Sequence, residues 1–185
     1  MTASILSATG FLFLFLFDLF QIYKKRTLSS IFSIIGYAGI VSTVILLLFS
    51  CELTYSIETE FALFILTVKI IGAIFFFFLL FYSNFIEIGL KSPYSYSSER
   101  YALDSGSYGL VRHPGFLWLL LALIMLVLIY KHIQFTLISI YMIVMNFILI
   151  LIEDIILFPR IFNNYREYKK EVPFIIPRIR KVLRP

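Results

Sequence analysis

A single cysteine, Cys51, stands in a chain of 185 residues, which excludes an intrachain disulfide and any metal cluster built on cysteines. Charge is scarce as well: Asp, Glu, Lys and Arg make up 15% of the sequence, against about 25% in soluble domains. Also missing are internal repeats, low-complexity linkers and the basic leader of a cleavable signal, so the first apolar run is read as a retained helix. What the chain has instead is apolar surface. Hydrophobic residues account for 61% of it and the mean hydropathy is +0.95, more than the core of one water-soluble domain can hide. The formal net charge of +5 does not indicate nucleic acid, because the 16 Lys and Arg fall in short stretches between apolar runs. That pattern points to membrane topology and to anionic lipid headgroups as partners.

A bilayer core about 30 Å thick requires about 20 apolar residues per helix. Three stretches have that length: Ala3 to Tyr23, Ser30 to Ser50 and Phe61 to Phe85. A fourth, Gly115 to Ile152, is too long for one span, and Lys131, His132 and Gln134 interrupt it. Dividing it there gives Gly115 to Tyr130 and Ile133 to Ile152, a tight hairpin. The expected fold is all-α, an integral membrane bundle of about five transmembrane helices in a single membrane domain. The basic residues test this count independently. Lys24, Lys25 and Arg26 follow the first span; Lys91, Arg100 and Arg112 precede the fourth; and eight more, from Arg160 to Arg184, follow the fifth. All fall on one side, expected to be cytosolic. The opposite side holds Lys131 with Glu52, Glu58 and Glu60, and is expected to carry the N-terminus.

All the Pro, most of the charge and half of the Tyr lie in two segments on the basic side, Glu87 to Pro114 and Glu153 to Pro185, where function is sought. Phe158, Ile161, Phe162, Tyr165 and Tyr168 recur at three- and four-residue spacing. This predicts one amphipathic helix lying along the membrane surface and stopped by Pro173 and Pro177. Pro114 suits a first helical turn, which puts His113 near the cap and Arg112 beside it. The positive dipole end and unpaired N–H groups there suit a carboxylate or phosphate. An equally good alternative has Arg112 anchoring to headgroups and His113 capping. At the end of the last span Glu153 and Asp154 are unfavourably placed at a helix C-terminus, so a cationic partner is expected. That partner could be a ligand, or simply Arg112 or Arg160. The hairpin makes the two places neighbours, so an anion site and a cation site share one cleft, which fits a zwitterionic amino-acid head carrying an added positive centre. Asn146 lies seven residues before Glu153 on the same helix face and is a weaker substrate-site candidate, or an interhelical hydrogen-bonding residue. Asp18 and Lys69 are costly at depth; each either lines a substrate path or pairs or snorkels.

The string SGSYGLVRHPGF from Ser105 to Phe116, the acidic Glu153-Asp154 pair, and YREYKKEVP from Tyr165 to Pro173 with Pro177 beyond it together resemble the isoprenylcysteine carboxyl methyltransferase family. The likeness covers roughly residues 100 to 177. It implies a membrane-embedded methyltransferase that uses S-adenosylmethionine and accepts a lipid-borne substrate from the bilayer. By position it implies cofactor contacts from Arg100, Tyr101, Ala102 and Leu103, and from Tyr108, Arg112, His113, Pro114, Gly115 and Phe116. Glu153 would hold the cofactor amine, and the tail helix with Pro173 would form a lid. No metal is implied. Eukaryotic members carry an arginine for the substrate carboxylate one turn before the acidic pair, where this chain has Leu149. The acceptor therefore does not transfer with the resemblance, and phospholipid amines or small thiols stay open beside prenylcysteine. A sterol-type reductase shares His-Pro and Val-Pro elements but lacks its Arg-Asp-Glu segment here. A non-catalytic membrane protein with a lipid-binding basic tail is the alternative of another class.

Overall fold

The computed structural model describes residues 2–51, 59–91 and 100–177. Glu52, Glu58 and the last basic residues from Arg178 onward lie outside the described residues. The described residues are mostly helical, with no strand among them. Its long elements are α1 (Thr2–Ile22), α2 (Arg26–Ser50), α3 (Glu60–Phe81), α6 (Pro114–Tyr130) and α7 (Ile133–Ile152); shorter ones are α4 (Ile88–Lys91), α5 (Ser107–Leu110), α8 (Phe158–Ile161) and α9 (Tyr165–Glu171). All five expected apolar helices are present, and the molecule is an all-α bundle. Four are long and apolar enough to cross a membrane: Thr2–Ile22, Thr27–Ser50, Glu60–Leu90 and Ile133–Ile161. The fifth, Pro114–Tyr130, has 17 residues, about 25 Å of rise. Large apolar side chains such as Ile34, Phe49, Phe61 and Phe78 face outward, as lipid-facing surface requires.

The connections follow local chemistry. Between α1 and α2 the chain reverses through Lys24 in the left-handed region (φ 55°). Thr59 caps α3 by accepting from Ala62 N at 3.1 Å. The α6–α7 hairpin turns where the polar interruption predicts it: Lys131 is left-handed at φ 49°, its N–H donates to Val127 O at 3.0 Å, and His132 is extended. Lys69 reaches along the bundle to donate to Leu128 O at 3.4 Å, as the pairing alternative expects.

Helices α1 and α2 pack through glycine. A Cβ on Gly10 would stand 3.0 Å from Gly36 O, and one on Gly36 would stand 2.7 Å from Leu14 Cδ2 and 3.0 Å from Gly10 O. Such contact is how membrane helices gain dispersion energy when lipid offers no hydrophobic driving force. Helix α3 packs on α6, and α7 touches both α1 and α6. Leu123, Phe135 and Met142 are fully buried where these helices meet.

Two features depart from the sequence expectation. Helices α3 and α7 do not stop at the ends of their apolar runs; each continues through a π-helical turn, Tyr82–Glu87 and Glu153–Leu157. The tail is also not one surface helix. It breaks between α8 and α9, with Phe162 extended, because the backbone there has better partners. Asn163 N donates to Arg100 O at 2.8 Å, Ala102 N donates to Asn164 Oδ1 at 2.7 Å, and Asn164 Nδ2 returns a bond to Ala102 O at 3.4 Å. The aromatic face consequently turns inward, where Tyr165, Tyr168, Phe158 and Phe162 cluster around Ala102 and Val172.

Candidate functional site

The segment from Arg100 to Pro114 is held from both sides. Glu87, fully buried in the first π turn, accepts from Ser107 N at 3.0 Å and from the Ser107 hydroxyl. Gly106 takes φ 62°, which favours glycine. Gly109 lies so close to Asp104 that a Cβ would sit 2.6 Å from its carbonyl oxygen. Arg100 donates to the Gln21 side chain, fastening this segment to α1. The short α5 ends at Val111, which is extended, and Pro114 occupies the first turn of α6 as its fixed φ and missing N–H predict.

His113 is the residue before that turn, but its side chain makes no capping bond. It points instead at the acidic pair: Nδ1 lies 3.4 Å from Glu153 Oε2 and Nε2 lies 3.7 Å from Asp154 Oδ1. Phe158 stacks on the imidazole at 5.6 Å and Phe174 meets its edge. The Arg112 side chain is likewise buried against the acidic pair. Its Nε is 3.1 Å from Asp154 Oδ1, its Nη1 donates to Lys169 O at 3.3 Å, and its Cζ stands over the Phe174 ring. Asp154 also takes Lys169 Nζ at 2.6 Å and the Tyr165 hydroxyl at 2.7 Å. The two expected subsites therefore touch and partly neutralise each other. For Asp154 the simpler expectation, a pair with Arg112, holds. Glu153 is different, since among the described residues its only basic partner is His113 at 3.4 Å.

Burial favours the neutral imidazole, but the interactions of His113 with Asp154 and Glu153 outweigh it and hold its pKa above the ordinary 6.5. Burial, followed by its bond to Asp154, pushes the Tyr165 hydroxyl far above the tyrosine range, so it remains a donor. Because folded His113 binds its proton more tightly than the unfolded chain does, its stabilising contribution is full below about pH 6.5. It is lost as pH rises through the folded value. Thermal unfolding in detergent is expected to fall across that window in the wild type and to be flatter in His113→Gln.

Two cavities meet here. One, of about 610 Å³, runs between the helices and is lined mainly by apolar side chains, with Tyr108, Arg112, His113, Pro114, Gly115, Phe116, Asn146 and Glu153 among its walls. The second, of about 530 Å³, lies under α8 and α9 and takes in Arg100, Ala102 and Leu103. Tyr108, Arg112 and Phe158 border both. The tail is strapped across this junction: Arg112 N donates to Pro173 O at 2.9 Å, and the Tyr168 hydroxyl donates to Tyr108 O at 2.7 Å. Of the expected site residues only Tyr101, 41% exposed, lines neither cavity.

The N-terminal half contributes more than the sequence indicates. Asp18 borders both cavities, while Tyr37 and Asn84 line the larger one. The residues after Arg100 therefore do not build the site alone. An intramembrane acid was the available signal for Asp18; nothing local marks Tyr37 or Asn84. No family model, no curated protein and no solved structure matches the chain.

Proposed function

We propose that this protein is a membrane-embedded methyltransferase that uses S-adenosylmethionine and acts on a lipid-borne or hydrophobic acceptor, with its basic end and site at the cytosolic face. The observation that carries the reading is Glu153 facing His113 where an apolar cavity between helices adjoins a second cavity under the tail. The sequence likeness of residues 100 to 177 supports it independently.

The donor set is compatible with this cofactor. Glu153 suits its ammonium. His113, whose Nε2 is buried without a hydrogen-bond partner, suits its carboxylate together with the free N–H groups that begin α6. Asp154 is spent on Arg112, Lys169 and Tyr165 and serves to fix the tail. When bound, S-adenosylmethionine supplies a methyl group already activated by its sulfonium, so the protein's work is orientation and exclusion of water. Tyr168 and Pro173, bonded to Tyr108 and Arg112, hold the tail over the junction and serve the exclusion. Leu149 lines the larger cavity, so that wall offers a carboxylate acceptor no cation.

Titrating detergent-purified protein with S-adenosylhomocysteine tests the reading. Saturable binding is expected, weakened in Glu153→Ala by about 2 kcal/mol, the worth of a hydrogen bond to a charged group, and by less in His113→Ala. Binding indifferent to both changes would reject the site. Absence of binding would leave a non-catalytic lipid-binding role for the basic tail. A tritiated-methyl assay against total lipid extract then reads the activity.

A further inference from the structure

We propose that Asp18 binds and deprotonates the methyl acceptor, and that this acceptor is an amine on an apolar chain rather than a carboxylic acid. The inference rests on the methyltransferase reading and deepens it. Asp18 sits near the end of α1 and is 6% exposed, yet it borders both cavities. Among the described residues no Lys, Arg or His pairs with it; its neighbour is another acid, Glu153, and the two carboxyl groups hydrogen-bond through a shared proton. Ionising both of two carboxyl groups buried side by side is costly without a counter-charge. A ligand cation removes that cost.

The surroundings favour the same ligand. Phe17, Tyr37 and Phe85 line the cavity with Asp18, and aromatic faces attract ammonium groups. A carboxylate would instead arrive beside two acids. Neither cation on the cavity wall is left for it, because Arg112 is held by Asp154 and His113 is assigned to the cofactor, and Leu149 supplies none. The apolar part of the acceptor has its own place, because the α2 and α3 walls include Val41, Ile45 and Phe81, each about half exposed on the lipid-facing side.

The step balances. An ammonium headgroup gives one proton to the Asp18 carboxylate. Its freed lone pair forms the N–C bond to the donated methyl as the C–S bond breaks and leaves its electron pair on sulfur. The products are a methylated ammonium and the neutral thioether, and the proton on Asp18 leaves to water.

Full-length protein in detergent, with tritiated S-adenosylmethionine, would be given dodecylamine and N-acetyl-S-farnesylcysteine in parallel. We expect methyl transfer to dodecylamine, lowered about 100-fold in Asp18→Asn, as for loss of a proton acceptor. Asp18→Glu should recover part of it, and S-adenosylhomocysteine binding should persist in both variants, which also shows that they fold. With cofactor binding intact, a farnesylcysteine product, an untouched amine, or amine transfer indifferent to Asp18→Asn would overturn the inference and spare the cofactor site. Wild-type protein that binds no S-adenosylhomocysteine would remove both.

Discussion

Replacing Asp154 by Ala is expected to free the tail and to cost about 3–5 kcal/mol, the usual penalty for stripping one partner from a buried charge cluster. The carboxylate joins Arg112, Lys169 and Tyr165 at 3.1, 2.6 and 2.7 Å, and α8 and α9 depend on it. Without it the Arg112 side chain, only 9% exposed, stays buried with no counter-charge. Lys169 is 39% exposed and loses little, since water takes over. Thermal unfolding in detergent and proteolysis between Phe158 and Pro177 would read the two effects. Asp154→Asn keeps an acceptor for Tyr165 and should fall between wild type and Ala. A tail as protected in Ala as in wild type would show that the aromatic cluster alone holds it.

The second large effect is expected from Gly36→Val, at about 3 kcal/mol, the upper end of the cost of overpacking. The new Cβ meets Leu14 at 2.7 Å and the Gly10 carbonyl at 3.0 Å; the leucine could rotate, but the backbone cannot. Helix α1 would move away from α2 and carry Asp18 with it, so the amine methylation proposed above should fall along with stability. Gly72→Ala is the control, because its Cβ would meet only the flexible Met125 side chain at 3.4 Å. It should be nearly neutral in both measurements.

How much of this the sequence discloses varies with the physics involved. The hairpin at Lys131 and His132 is legible because polar residues inside an apolar run leave few other turning points. The geometry around His113 is legible because Pro114 fixes a helix start. The break in the tail is not, because the apolar spacing from Phe158 to Tyr168 runs through it unchanged. The only warning is the Asn163-Asn164 pair, a turn-forming dipeptide, and its reason lies 62 residues away at Ala102. The part of Asp18 is hidden in the same way. Its cost at depth can be read from sequence, but its meeting with Glu153 depends on α1 packing against α7, which no local pattern encodes.

The widened turn at Glu153–Leu157 has a consequence for tolerance to change. A π turn is an α-helix with one residue inserted, and each residue rotates whatever follows by about 100° around the axis. The spacing in this turn, more than the identity of its side chains, sets how the chain beyond Glu153 swings Tyr165 back onto Asp154. Ile155 and Ile156 face outward, 65% and 45% exposed, and should accept almost any apolar replacement. Deleting either one would restore the ordinary helical pitch and send the remaining chain off in a different direction.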